Sequence, residues 1–354
     1  MSETPSRDNQ LVLNPSRLFP AWLAATGSSI AFTTYQAGKI FFIGTNDETG
    51  KLSIFERTFN RSMGLGVGEN CLWLSSLYQM WRFENFLDPG QKQAGFDAVY
   101  VPVEGRTTGD VDIHDVHPYK DGSQPIFVVT RFNCLATFDR RNSFKPVWTP
   151  PFIDRIAAED RCHLNGLAMD GGEPAYATCV STTNVAGGWR EHRMGGGVLV
   201  RVSDGEIIAD GLSMPHSPRL RDGHVYLLQS GLGEFGRIDL STGRYESLCF
   251  LPGFARGLTF IGDHAIIGVS RPRPERTFEG LELGNRLEAQ GLSARCEIAV
   301  VNLKTGDVEH SLEISGVVQE LYDVVTLPGI RRPQAVGFKS DDIRFVVRPG
   351  ELEG

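Results

Sequence analysis

Apolar residues along this chain fall in short runs rich in Val, Ile, Phe and Tyr. Examples are SIAFTTY (29–35), KIFFIG (39–44), CLWLSS (71–76), PIFVVT (125–130), GVLVRV (197–202), HVYLLQ (224–229), AIIGVS (265–270) and IAVVNL (298–303). Gly, Asp, Asn and Pro bound them, as strand ends and hairpins require. Helical periodicity is scarce, and EGLELGNRLEAQ (279–290) carries it best. The pattern predicts an all-β chain of many short strands.

The runs repeat. Short segments that follow a turn begin at Met63 (MGLGV), His114 (HDVHP), Asn165 (NGLAM), His216 (HSPRL), Arg256 (RGLTF) and Tyr322 (YDVVT). The first four starts are 51 residues apart, and the next gaps are 40 and 66. Residues 224–258 also align on 29–65, each reading strand, turn, strand, a TG-containing hairpin and strand. A four-stranded unit at this period marks a β-propeller. Six starts predict six blades. Residues 29–59 supply three strands without an inner one, and 321–327 an inner strand without partners, so the termini are expected to close one blade together. The stretch QAVGF (334–338) does not fit neatly and leaves seven blades as the alternative. The expected organisation is an N-terminal extension (1–27), one propeller domain (28–340) and a C-terminal tail (341–354). Segments 86–111, 181–196 and 271–295 read as insertions, the kind of long loop that often caps a site.

Composition agrees with this picture. Glycine numbers 40 of 354, above the usual share of roughly 7%, and a ring of turns and crowded inner strands accounts for the excess. A net charge of −8 argues against nucleic acid as a partner. No apolar run is long enough to span a bilayer, so no membrane association is expected. The six cysteines (71, 134, 162, 179, 249, 296) are scattered without a CxxC pair, which reads as reduced thiols in a cytoplasmic protein.

Candidate chemistry follows from the repeat. Residues two apart on a strand share a side, so the channel entrance is expected to carry the pairs Arg61/Met63, Asp112/His114, His163/Asn165, Met214/His216, Phe254/Arg256 and Glu320/Tyr322. Three histidines on consecutive blades, with a carboxylate, suit a divalent metal such as zinc, iron, copper or manganese. The expected ligands are His114, His163, His216 and Glu320, with Asp112, Arg256 and Tyr322 as catalytic candidates. His117 is expected to face away from His114. A metal-free pocket is the other reading: a histidine works as acid or base while Arg256 and Arg61 hold an anion. No nucleotide fingerprint or GxSxG elbow occurs, so no nucleotide cofactor is expected. Trp73, Trp81, Trp148 and Phe152 read as packing between blades, and Trp189 as a ligand-facing aromatic. The ligand is expected to be a small molecule or peptide; a non-catalytic scaffold for a peptide or protein partner is the alternative.

Long phrases carry a family resemblance. AFTTYQAGK (31–39), DIHDVH (112–117), TRFNCLATFDRRNSFKPVWTPPFI (130–153), AAEDRCHLNGLAM (157–169), AGGWREH (186–192), GLSMPHSPRL (211–220), LPGFARGLTF (251–260) and VVQELYDVVTLPGIRRP (317–333) resemble a bacterial family of hypothetical proteins that carries a domain-of-unknown-function label. The resemblance spans about residues 28–340, implies a single domain and brings no reaction with it. The repeat logic is also similar to gluconolactonase and regucalcin-like propellers, which bind an axial metal through Glu, Asn and Asp. Asn165 and Glu320 match that pattern, whereas the three histidines depart from it.

Overall fold

The computed structural model describes residues 11–272 and 280–350. Six sheets, each built on four antiparallel strands, form a ring. Blade I runs from the axis outward as Val324–Leu327, Ser29–Thr34, Lys39–Asn46 and Lys51–Thr58. The predicted closure by both termini is therefore present. Blade II is Leu65–Val67, Cys71–Ser75, Gln79–Asn85 and Ala98–Thr107. Blade III is Ile113–Tyr119, Gln124–Val129, Cys134–Thr137 and Lys145–Trp148. Blade IV is Leu164–Asp170, Glu173–Cys179, Gly197–Arg201 and Ile207–Leu212. Blade V is Pro215–Arg221, His224–Gln229, Glu234–Asp239 and Tyr245–Phe250. Blade VI is Phe254–Ile261, His264–Ser270, Glu297–Asn302 and Val308–Ser315.

Three sequence expectations need correction. Residues 334–338 do not begin a seventh blade: Pro333–Ala335 adds a parallel fifth strand to the outer edge of blade II. Residues 11–27 of the expected N-terminal extension are not separate from the ring. Val12–Pro15 pairs with Val308–Ser315 at the edge of blade VI, and the helix Phe19–Thr26 buries Phe19 and Leu23 against blades VI and I. Segment 86–111 is not wholly an insertion, because Ala98–Thr107 is the outer strand of blade II. The expected helix is present at Glu282–Ala289; residues 273–279 of that insertion lie outside the described residues.

Strands buried on both faces explain the continuous apolar runs. In blade I, Ile30, Phe32, Phe41 and Ile43 pack toward blade VI, while Ala31, Ile40 and Phe42 pack toward blade II. The remaining interfaces have their own clusters, built around Trp73 and Phe127, Leu135 and Leu167, Leu199 and Leu227, and Leu228 and Ile267. The sulfur atoms are not crosslinked: all six cysteines are free and five are buried.

Two polar stitches tie neighbouring blades near the axis. Hydroxyls at the ends of second strands donate to carbonyls at the head of the next inner strand: Thr33 to Met63, Ser75 to Ile113, Thr130 to Leu164, Ser230 to Ala255 and Ser270 to Leu321. At the heads of three inner strands, Asp323, Asp115 and Ser217 accept the backbone N–H of Leu65, Leu167 and Gly257 on the next blade. The blades between them carry Gly64, Gly166 and Gly257 at the same position, where a side chain would strike the neighbour. A Cβ on Gly257 would come within 2.5 Å of the Val324 nitrogen, and its φ is +75°. Left-handed backbone costs a non-glycine residue roughly 1–2 kcal/mol before any clash. Gly257→Ala is expected to destabilise the ring by more than about 2 kcal/mol, read as a lower urea midpoint. A variant as stable as the parent counts against this close approach.

Candidate functional site at the propeller axis

The inner-strand heads gather the predicted residues at one end of the channel, but the rule of alternate sides does not describe how. Arg61, Asp112, His163 and Met214 all have φ between +48° and +60°, so the first member of four pairs leaves the extended conformation. Asp112 and Met214 consequently turn their carbonyls back to the histidines that follow them.

Each histidine is anchored through Nδ1. In His114, Nδ1 lies 3.1 Å from the Asp112 carbonyl and 2.7 Å from Thr130 Oγ1. In His216, it lies 2.9 Å from the Met214 carbonyl and 3.0 Å from Ser230 Oγ. In His163, it lies 3.0 Å and 3.2 Å from the Asp160 carboxylate oxygens. A carbonyl or carboxylate accepts only, so the Nδ1 proton points to it, and in a neutral ring it is Nε2 that carries the lone pair. Burial holds His114 down at about 4, with His163 and Arg256 adding to the effect against Asp112. Burial, then Arg256, keeps His216 well below the usual histidine range.

Folding a histidine into its neutral form makes stability depend on pH. Above pH 6.5 the contribution is fully present; it is lost as pH falls from 6.5 through about 4, because the unfolded chain then binds the extra proton. For His114 the loss reaches on the order of 3 kcal/mol. In chelator-treated protein, the urea midpoint is expected to fall across this window, with a shallower fall in His114→Gln. Equal slopes would count against a buried neutral His114.

The other predicted residues surround these rings. Arg256 pairs with Glu320 (Nη1–Oε1 3.1 Å) and lies over Phe254 and Tyr322, so one oxygen of the expected carboxylate ligand is already held. The Tyr322 ring is 5.5 Å from His114. Asp112 acts through its backbone carbonyl, with its nearest carboxylate oxygen 3.8 Å from His114 Nδ1. His117 lies against Asp115 instead, Nε2–Oδ1 3.0 Å. Among the described residues, no group of three or more His, Cys, Asp or Glu side chains is arranged to hold a metal ion as it stands.

An axial cavity of about 10 Å³, room for about one water, is lined by His114, Asn165, His216, Arg256, Tyr322 and Asp323, among others. Asn165 Nδ2, His216 Nε2, Arg256 Nε and the Tyr322 hydroxyl are buried there without a hydrogen-bond partner. Buried polar atoms are costly to leave bare. Four of them face a space that holds a polar group about the size of one water. Beneath it, Arg219 grips Asp115 through two hydrogen bonds (2.9 and 3.2 Å) and sits 3.9 Å from Asp323. Against the effect of burial, Arg219 and His117 hold Asp115 below the usual carboxylate range. Burial, then the charge of Asp115, pushes Asp323 up to about 7.

Two insertions roof part of the mouth. Trp189, in a 3-10 turn at Gly188–His192, is buried rather than open to a ligand. It stacks on His163 at 4.1 Å and donates its indole N–H to Asp160 (2.7 Å). Leu281, Leu283 and Leu287 pack with Trp189, Val180, Met214 and Phe254. Asp160 was not singled out from the sequence. Its one signal is its place three residues before His163, outside the repeat register.

A six-bladed propeller with a histidine-lined, hydrogen-bond-deficient axis is the class that fold and site define. The chain belongs to the family described as a domain of unknown function (DUF4915), which matches residues 17–336. No curated protein matches it in sequence. Among solved structures, a chain in the crystal structure of a nidogen/laminin complex is similar, with TM-score 0.55, 10% identity, and 85% of this chain and 98% of that chain covered. A protein of unknown function from Bacteroides caccae is similar at TM-score 0.50, 10% identity and the same coverages. Streptogramin B lyase follows at TM-score 0.42, 14% identity, covering 75% of this chain and 78% of its own. At these identities the first two likenesses speak to fold alone. No helix among the described residues is long and apolar enough to cross a membrane.

Proposed function

We propose that this protein is a divalent-metal-dependent enzyme whose site lies at the roofed mouth of the propeller axis. The observation that carries this reading is the common anchoring of His114, His163 and His216 through Nδ1. Metal-binding histidines characteristically donate the other ring N–H to a carbonyl or carboxylate, which fixes the ring and raises its basicity. Two imidazoles sharing one tetrahedral ion through Nε2 have ring centres about 5 Å apart. The rings of His114 and His163 stand 5.0 Å apart. The reading requires His216 to move onto the ion, which would give its bare Nε2 a partner.

A metal held by His114, His163 and His216 would supply Lewis acidity. In this reading Arg256 Nε–H and the Tyr322 hydroxyl, both buried without a partner, bind oxygen atoms of a small molecule or a peptide side chain once the site opens. Glu320, paired with Arg256, orients that guanidinium. Such a set serves hydrolytic, lyase or oxidative chemistry. The unlinked thiols support a cytoplasmic setting.

The arrangement of the described side chains short of a complete ligand set favours a second reading, a non-catalytic scaffold for a peptide or protein partner. Elemental analysis of the purified full chain separates the two. About one transition-metal ion per chain, with a melting temperature lowered by chelator, is expected for the enzyme; protein free of metal after supplementation and insensitive to chelator supports the scaffold.

A further inference from the structure

The roof covers the mouth on the side of blades IV to VI. On the other side, at blades I and II, a second cavity of about 570 Å³ lies beside the axis, within the size range of small-molecule sites. Tyr35 lines it, and the Tyr35 ring stacks on Tyr322 (5.8 Å between centres, 20° between planes). Tyr322 in turn faces His114. The cavity and the axial site therefore share an aromatic partition.

Its charge is distinctive. The lining holds Arg61 and Lys339 and no carboxylate, in a chain of net charge −8. Arg61 is pinned by Asp110 and lies over the Tyr35 ring. Even so, its buried Nε–H has no partner. Lys339 is exposed and makes no ion pair among the described residues. Gln36 and Asn60 add side-chain amides. A part-exposed guanidinium held in place by Asp110, a second cation and neutral amides make an anion site.

We infer that this cavity binds the carboxylate or phosphate end of the substrate, and that the stacked Tyr35 and Tyr322 rings part to let its reacting end reach the axial histidines. The inference rests on the axial site being where the reaction occurs. It adds that the substrate is an anion entering from the side of blades I and II.

The test is calorimetric titration of the full chain with inorganic phosphate and, separately, with succinate, in parent protein and in an Arg61→Gln, Lys339→Ala double variant. Lys339→Ala alone serves as the variant least able to disturb folding. One saturable site for phosphate or succinate is expected, weakened at least about tenfold in the double variant; which probe binds identifies the anionic group. Binding that is equal in parent and double variant, or saturation by neither probe, overturns the inference. Metal content measured on the same samples keeps the two claims apart. Anion binding at Arg61 and Lys339 in protein that takes up no metal upholds the cavity and removes the axial reading. Stoichiometric metal without anion binding does the reverse.

Discussion

Replacing His163 and His216 together by alanine is expected to abolish stoichiometric metal binding while leaving the ring folded. Both imidazoles are ligands in the proposed set, and losing both leaves His114 as the one histidine donor. Three protein ligands are the usual minimum for a catalytic ion, so occupancy should fall from about one per chain to background. The packing cost is moderate, because the His163 ring is bounded by Trp189 and His114 and the His216 ring by Phe254. Circular dichroism should therefore report an intact β fold in the double variant. Metal retained at full occupancy would remove these histidines from the site.

Asp115→Ala is expected to have the largest effect on stability, about 3–5 kcal/mol. Arg219 lies among the inner strands with 15% of its side chain exposed, and the buried Asp115 is its two-pronged partner. Asp323 stands farther off, at 3.9 Å. Removing Asp115 leaves the guanidinium short of its main counter-charge and frees the Leu167 N–H that ties blade III to blade IV. Replacing Arg219 by Met in the same chain should recover part of the loss, because it removes the stranded cation. Denaturation in urea measures both changes. A loss under about 1 kcal/mol in Asp115→Ala would show that this pair does not hold the channel together.

Much of the ring was legible because its determinants recur. The 51-residue spacing from Met63 to His114, Asn165 and His216 located three successive inner strands. The unpartnered strand pattern at each end foretold the closure in blade I. What the repeat does not encode was misread. The strand Ala98–Thr107 stands behind the loop DPGQKQAG, which set it out of register with the other blades. Pro333–Ala335 looked like spare strand material because a fifth, parallel edge strand has no counterpart in the four-strand unit.

The site was legible in its rings and not in their supports. His114 and His216 share one register position on their inner strands, His163 stands two positions earlier in the repeat at the head of its strand, and period-two reasoning was enough to group them. That reasoning assumed extended backbone through Asp112, His163 and Met214, where φ is positive. The same turns bring the Asp112 and Met214 carbonyls onto Nδ1. Asp160 belongs to a connection of irregular shape, and only the folded chain brings its carboxylate between His163 and Trp189. Trp189 looked like a ligand contact because its glycine-rich surroundings suggested exposure; packing against the roof leucines buries it.

The most direct measurement is an anomalous-difference map from a crystal of the full chain grown with the metal it retains. The account predicts a peak on the propeller axis about 2.0–2.2 Å from the Nε2 atoms of His114, His163 and His216. A map without that peak, showing the three Nε2 atoms hydrogen-bonded to protein groups instead, would contradict it.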